Sequence, residues 1–157
     1  MRILIAYATK HGATQELAER IAAALPNSEI LEVSVGATVD LSEFDVVALG
    51  SSLMAGNIRR ELKQFIAANA EALRRKRIGL FLSGLQESDA GEHFKRNFPQ
   101  EMLSDAIATA FLGGIFDPEK CGIIERKIIK VVTRLDTYTS TLDDEKIAKF
   151  ARTLADE

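Results

Sequence analysis

The sequence predicts a three-layer α/β/α sandwich built on a five-stranded parallel sheet, and three observations carry that prediction. Short, unbroken apolar runs recur along the 157 residues, as strands buried on both faces do. Amphipathic segments with helical spacing alternate with them, and that alternation implies right-handed crossovers and a parallel sheet. Three of the runs end in small or polar residues, at the strand ends where open α/β sheets bind ligands.

Ile3–Tyr7 is the first apolar run. A helix follows with Leu17, Ala18, Ile21, Ala22 and Leu25 on one face and Glu16, Glu19 and Arg20 off it. Pro26-Asn27 ends that helix. Glu29–Val35 alternates and reads as a second strand, and a polar connection spans Thr38 to Phe44. Asp45–Leu49 is the third strand, closed by Gly50-Ser51-Ser52. Ile58, Leu62, Phe65, Ile66 and Leu73 mark one long helix. Ile78–Leu82 is the fourth strand, ended by Ser83-Gly84. Residues 85 to 105 read as one or two short helices interrupted by Pro99. Ala108–Phe116 is the fifth strand, and Ile123 to Thr133 is helical. Thr141, three residues ahead of Asp144, resembles a capping box. It opens a last helix that turns Ile147, Phe150, Ala151 and Leu154 inward.

Composition narrows the class. Apolar residues make up 46% and charged residues 27%, the balance of a folded chain large enough for one domain with a sizeable core. The net charge of −3 argues against duplex nucleic acid or an anionic membrane as a bulk partner. Cys121 is the only cysteine, so no internal disulfide forms, which fits a reducing cytoplasm. The run Ile3 to Ala8 is too short for a signal peptide. No stretch approaches the roughly 20 apolar residues of a membrane span. Arg74-Arg75-Lys76-Arg77 reads as a solvated helix end facing the negative C-terminal dipole.

The chemistry concentrates at three strand ends. After the first strand come Thr9-Lys10-His11-Gly12-Ala13-Thr14, a T-x-x-G-x-T pattern leading into a helix. First-turn amides lack intrahelical acceptors, and the helix dipole adds partial positive charge, so a phosphate dianion can be held there by amides and hydroxyls. Gly12 permits close backbone approach. Lys10 meets the phosphate or points into water, and His11 reads as an exposed loop residue. After the third strand, Ser51 and Ser52 offer hydroxyls, Leu53 and Met54 offer apolar contact to a flat ring, and Gly56 permits a turn next to Ala55. Asn57 suits the cap of the following helix. After the fourth strand, Ser83, Gly84, Leu85 and Gln86 leave backbone amides accessible to the polar edge of a heterocycle. The set points to a ligand with one phosphate and a planar ring. No acid, base or metal ligand is assigned, and Cys121 reads as an incidental thiol.

With these residues in hand, the chain resembles the flavodoxin family, itself one of the instances behind the strand-end rule. The Thr9/Gly12/Thr14 loop is similar to that family's loop for the phosphate of flavin mononucleotide (FMN). The resemblance covers nearly the whole length in element order. It implies the flavodoxin-like strand order 2-1-3-4-5 and FMN as cofactor. A narrower resemblance is to menaquinone-dependent protoporphyrinogen oxidases of flavodoxin type. Gly50, Ser52, Leu53 and Gly56 match their G-x-S-[IL]-x-x-G loop, and Asp136-Thr137 and the Ile123–Thr133 helix match features ahead of the last helix. The chain departs from them after the fourth strand, where they carry a long basic insert. Here Glu87, Asp89, Glu92, Glu101 and Asp105 stand against Lys95 and Arg96. It has no Trp, and Tyr7 and Tyr138 fall outside the loops where many flavodoxins flank the ring with aromatics.

The resemblance implies an FMN-dependent oxidoreductase acting on a quinone or other small molecule, or an electron carrier that docks on a redox partner protein, and it leaves a homodimer open. A third possibility is a flavodoxin-like module that has lost FMN. Stand-alone carriers are typically strongly acidic, so the mild charge tilts toward the enzyme. A phospho-acceptor receiver domain is set aside: it needs carboxylates after strands one and three for Mg²⁺, where this chain has Ala8-Thr9 and Gly50-Ser51.

Overall fold

The computed structural model describes residues 1–36 and 38–156. Its elements run β1 (Ile3–Ala8), α1 (Ala13–Ala23), β2 (Ser28–Glu32), a 3₁₀ turn (Leu41–Glu43), β3 (Val46–Met54), β4 (Asn57–Ile58), α2 (Arg60–Ala68) and α3 (Ala70–Leu73). There follow β5 (Arg77–Ser83), α4 (Ala90–Asn97), α5 (Gln100–Asp105), β6 (Ala108–Phe111) and β7 (Ile115–Phe116). A second 3₁₀ turn (Pro118–Lys120), α6 (Ile123–Thr133), β8 (Thr139–Ser140) and α7 (Asp144–Ala155) complete the chain.

The five long strands pair in parallel in the order β2-β1-β3-β5-β6. Numbered by the parallel strands alone, this is 2-1-3-4-5, the order that the family resemblance implies. Alternation along the strands builds two cores. Leu4, Ala6 and Ala8 of β1, with Val47, Leu49, Leu80 and Leu82, face Leu62, Phe65, Leu73, Phe94 and Phe98. Ile3, Ile5 and Tyr7, with Val46, Ala48 and Phe81, face Leu17, Ala18 and Ile21 of α1 and Ile147, Phe150 and Leu154 of α7. Each fully buried aliphatic or aromatic side chain stabilises the fold by about 1.5–3 kcal/mol before entropy is counted. The central strands are mostly apolar, with their serines at the carboxyl ends, because helices cover both of their faces.

Several boundaries differ from the sequence reading, each for a local reason. The second strand stops at Glu32, although the amide of Val33 still donates to the carbonyl of Tyr7 at 2.7 Å. The third strand does not close at Gly50-Ser51-Ser52 but continues to Met54 and folds back antiparallel onto β4. Ala55 and Gly56, both at positive φ (49° and 75°), make that two-residue reversal. Ile58 therefore sits in β4, and the helix expected from it begins at Arg60. That helix also breaks at Asn69, whose carboxamide donates to the carbonyl of Phe65 at 2.8 Å. Such side-chain bonding competes with the helical ladder.

The fifth strand ends at Phe111. Gly113, at φ 89°, turns the chain out of the sheet, and Ile115–Phe116 pairs instead with Thr139–Ser140. Thr141 does not cap α7. Asp143 does, accepting from the amide of Lys146 at 3.0 Å, while the Thr141 hydroxyl accepts from the amide of Gly114. The basic run divides: Arg74 follows α3, and Arg77 already belongs to β5. Among the described residues, no helix is long and apolar enough to cross a membrane.

Candidate functional site

β1, β3 and β5 are neighbours in the sheet, and their carboxyl ends align. Ala8 lies beside Ser51 and Ser52 beside Ser83. The register therefore brings the loops beginning at Thr9, Leu53 and Gly84 together on one edge. This is the juxtaposition that the three small, polar strand ends predict.

The first loop is built around Gly12. Its φ of 91° is left-handed, where a side chain would be strained. Its amide donates to the Thr9 hydroxyl at 3.0 Å, so Thr9 braces the loop with one lone pair and keeps its own proton to donate. α1 starts at Ala13 without a side-chain cap. Its first-turn amides accordingly lack intrahelical acceptors. Thr14 is fully buried, and its hydroxyl oxygen has no hydrogen-bond partner among the described residues. A buried hydroxyl left unpaired costs about 1–3 kcal/mol. An orphan of this kind at a helix N-terminus fits an oxyanion as its missing partner. The residues present fit a phosphate.

Two basic side chains stand over this loop. The ammonium group of Lys120 lies 3.5 Å from the carbonyl oxygen of His11. The second, Lys10, belongs to the loop itself and turns its side chain toward α6. Its ammonium lies 3.2 Å from one oxygen of Glu125, in the first turn of α6. His11 is not merely exposed either: its Nε2 sits 2.8 Å from the other oxygen of the same carboxylate. Burial raises the affinity of Glu125 for a proton, but the bonds from His11 and Lys10 outweigh it and hold the carboxyl below its ordinary range. Burial, then the Glu125 charge, pushes the nearby Cys121 thiol up. Gln86 of the β5 loop donates to the carbonyl of Val132 at 3.3 Å, near the other end of α6. This helix thus bridges from the first loop to the third. It turns Ile124, Ile128, Val131 and Val132 outward, each more than half exposed.

The second loop is the β3–β4 hairpin. Ser51 turns inward rather than toward a ligand. Its hydroxyl accepts from the amide of Arg59 and donates to the carbonyl of Ser52, both at 2.8 Å. Ser52 and Leu53 are half-buried and Met54 is exposed, so the apolar edge expected of this loop is available. Asn57 caps no helix; its carboxamide donates to the carbonyl of Ala55 at 3.2 Å. A residue the sequence reading missed holds the hairpin. Asn97 of α4 donates to the carbonyl of Gly56 at 2.8 Å and accepts from the amide of Ile58 at 3.0 Å. His93 and Arg96 stand close behind Gly56 as well. A polar residue ahead of Phe98-Pro99 was the available signal for Asn97, but only the fold brings it to the turn.

In the third loop Ser83 is buried, and the amide of Gly84 is not free: it donates to the carbonyl of Gly113 at 3.1 Å. A methyl group on Gly114 would lie 2.7 Å from the Gly84 carbonyl, so the two backbones are in direct contact. The stretch after Phe111 takes the place that an open Gly84 had in the sequence reading. Leu85 is half-buried and Gln86 exposed.

With this geometry in place, comparison with known proteins is specific. Residues 4–143 match the sequence profile of a family described as flavodoxin domain. No curated protein sequence matches the chain. Among solved structures, oxidised flavodoxin 2 from Bacillus cereus is 22% identical, with a TM-score of 0.59 over 99% of this chain and 98% of that one. A flavoprotein in complex with FMN from Lactobacillus acidophilus is 18% identical, with a TM-score of 0.51 over 72% of this chain and 91% of that one. The rubredoxin:oxygen oxidoreductase of Desulfovibrio gigas is 13% identical, with a TM-score of 0.57, and 98% of this chain spans only 35% of that one. At these identities the likeness shows the fold alone.

Proposed function

The chain belongs to the flavodoxin domain family, and from that premise we propose that it is an FMN-dependent oxidoreductase acting on a quinone or a similar small molecule. One observation carries the cofactor: the buried, unpartnered hydroxyl of Thr14, at the start of an uncapped helix and two residues after a left-handed glycine. A terminal phosphate satisfies that hydroxyl and the first-turn amides together. FMN complexes are known for a protein of this fold.

When bound, the flavin supplies the redox chemistry, accepting and returning electrons. Thr9 shapes the phosphate loop by taking the amide of Gly12, and Thr14 donates to the phosphate. Leu53 and Met54 would give the ring its apolar surface in place of aromatics, which these three loops lack. Backbone groups of Ala55, Gly56, Leu85 and Gln86 would border the polar edge. Asn97 fixes the hairpin that carries two of these residues. No side chain is assigned as a proton donor or acceptor.

The mild net charge of −3 favours an enzyme over a carrier that docks through a strongly acidic face. The loop pattern at Gly50, Ser52, Leu53 and Gly56 supports a quinone as one partner, and a porphyrinogen is the finer substrate reading drawn from the same resemblance. The decisive experiment is an absorption spectrum of the freshly purified chain, followed by FMN titration and turnover assays with a quinone, with and without a porphyrinogen. A flavin spectrum with stoichiometric FMN is expected. Colourless protein that takes up no added FMN overturns the cofactor. Flavin that exchanges single electrons with a reductase but shows no quinone turnover makes the chain a carrier.

A further inference from the structure

Three side chains of different chemistry meet beside the first loop. His11, Cys121 and Glu125 each place a ligand atom within 4.8 Å of the other two. We propose that they form a transition-metal site that takes Zn²⁺.

The donor set argues for this class of ion. Imidazole nitrogen, thiolate sulfur and carboxylate oxygen suit a borderline cation such as Zn²⁺, whereas Mg²⁺ and Ca²⁺ take oxygen ligands. Zinc bonds of about 2.0–2.3 Å in a tetrahedron set neighbouring ligand atoms roughly 3.3–3.6 Å apart. The present separations, from 2.8 Å between His11 and Glu125 up to the 4.8 Å limit, bracket that value. Shifts of about 1 Å, within reach of small side-chain rotations, close the site.

The backbone supports the arrangement. Cys121 directly precedes Gly122, the N-cap of α6, and Glu125 stands in that helix's first turn, so the start of the helix fixes one relative to the other. His11 is held from its own side, where its carbonyl oxygen meets Lys120. Binding releases the Cys121 proton to solvent and breaks the hydrogen bond between His11 Nε2 and Glu125, whose proton moves to Nδ1 of the neutral ring, or to solvent from an imidazolium, so that Nε2 can ligate; the thiolate and carboxylate together balance the two positive charges of the ion. Lys10, now 3.2 Å from Glu125, remains a neighbour of the bound carboxylate oxygens. Three protein ligands leave a fourth position for water, the pattern of open zinc sites. The ion also ties α6 to the first loop more firmly than the present ion pairs do.

The thiol separates this proposal from a plain ion-pair latch. Lys10, His11 and Glu125 make a latch without any sulfur. The test uses the full chain, stripped with a chelator and titrated with Zn²⁺ by calorimetry and with Co²⁺ by absorption, read as difference spectra. The expected results are one Zn²⁺ per chain and a thiolate-to-cobalt charge-transfer band with four-coordinate visible bands. Cys121→Ser should abolish that band and weaken Zn²⁺ by about tenfold or more, and Glu125→Gln should weaken it comparably. Circular dichroism of each variant establishes that it is folded. Absence of stoichiometric Zn²⁺ binding by the folded wild type overturns the site. So does an affinity unchanged in folded Cys121→Ser, or cobalt binding without the sulfur band.

Discussion

The carboxamide of Asn97 donates to the carbonyl oxygen of Gly56 at 2.8 Å, and through its other atom accepts from the amide of Ile58 at 3.0 Å. One side chain on α4 therefore ties the second turn residue to the strand that leaves it, on the exit side of the turn that would border the flavin. Asn97 is nine-tenths buried, so neither bond is easily replaced by water. Asn97→Ala leaves a buried backbone amide unpaired and should cost about 1–3 kcal/mol of stability. The same variant should weaken FMN binding, because the hairpin loses its brace. Urea denaturation with and without FMN separates the two effects. Equal stability of the variant and the wild type would show that the turn is held by its own backbone.

Thr14 gives a prediction of opposite sign in the free and bound proteins. Its hydroxyl is buried and has no partner among the described residues, so the free chain carries an uncompensated desolvation cost. Thr14→Val keeps the shape and removes that cost. The FMN-free variant should be more stable than the wild type, by about 1 kcal/mol. Its affinity for FMN should fall about tenfold, the worth of one hydrogen bond to a charged group. Thermal melts of the FMN-free proteins and flavin fluorescence titration measure the two halves. An unchanged affinity would remove Thr14 from the phosphate site.

Gly50 tests packing rather than ligand approach. A methyl group built on it falls 2.0 Å from Cζ of Phe81, whose ring is fully buried. The ring meets Phe150 of α7 edge-on, with centroids 5.7 Å apart, and has little room to retreat. Gly50→Ala should destabilise the fold by about 1–3 kcal/mol through overpacking. A Phe81→Leu change made together with it should recover part of that loss, because coupled neighbours are not additive. The glycine of the G-x-S pattern is thus explained by the core beneath the strand end. A double-mutant cycle by chemical denaturation checks it.

The parts of this fold that were legible in the sequence are those governed by local pattern. The strands read at Ile3–Tyr7 and Ile78–Leu82, each extended by one residue or two in the structure, the apolar faces of α1 and α7, and the loop of Thr9 to Thr14 follow from apolar runs, helical spacing and a glycine between threonines. The misread elements were decided by contacts far along the chain. Ser51 looked free, but the amide of Arg59 claims its hydroxyl. Gly84 looked open, but Gly113 reaches across from beyond β6. Ala108–Phe116 looked like one strand because most of its residues are apolar. The left-handed Gly113 divides it, and no periodicity reports that. The role of Glu125 was illegible for the same reason, since its partners lie 114 and 115 residues earlier.

Glu125 also makes the stability of the chain respond to acid. Its carboxyl is held below the ordinary glutamate range in the folded protein, where the bonds from His11 and Lys10 outweigh the effect of burial. A depressed folded value means that the unfolded chain binds this proton more readily than the native one. The stabilisation from Glu125 is therefore complete above the unfolded value and disappears as the pH falls through the folded one. Glu125 and His11 are about a quarter exposed and Lys10 somewhat more, so the pairs contribute modestly, about 0.5–1 kcal/mol. Glu125→Gln removes that contribution. In metal-free buffer, the variant should be less stable than the wild type at neutral pH. The difference should shrink to nothing below the glutamate range, and added salt should narrow it at neutral pH. Paired denaturation curves from neutral to acid pH test this, and a gap that persists in acid would show that Glu125 acts through packing rather than charge.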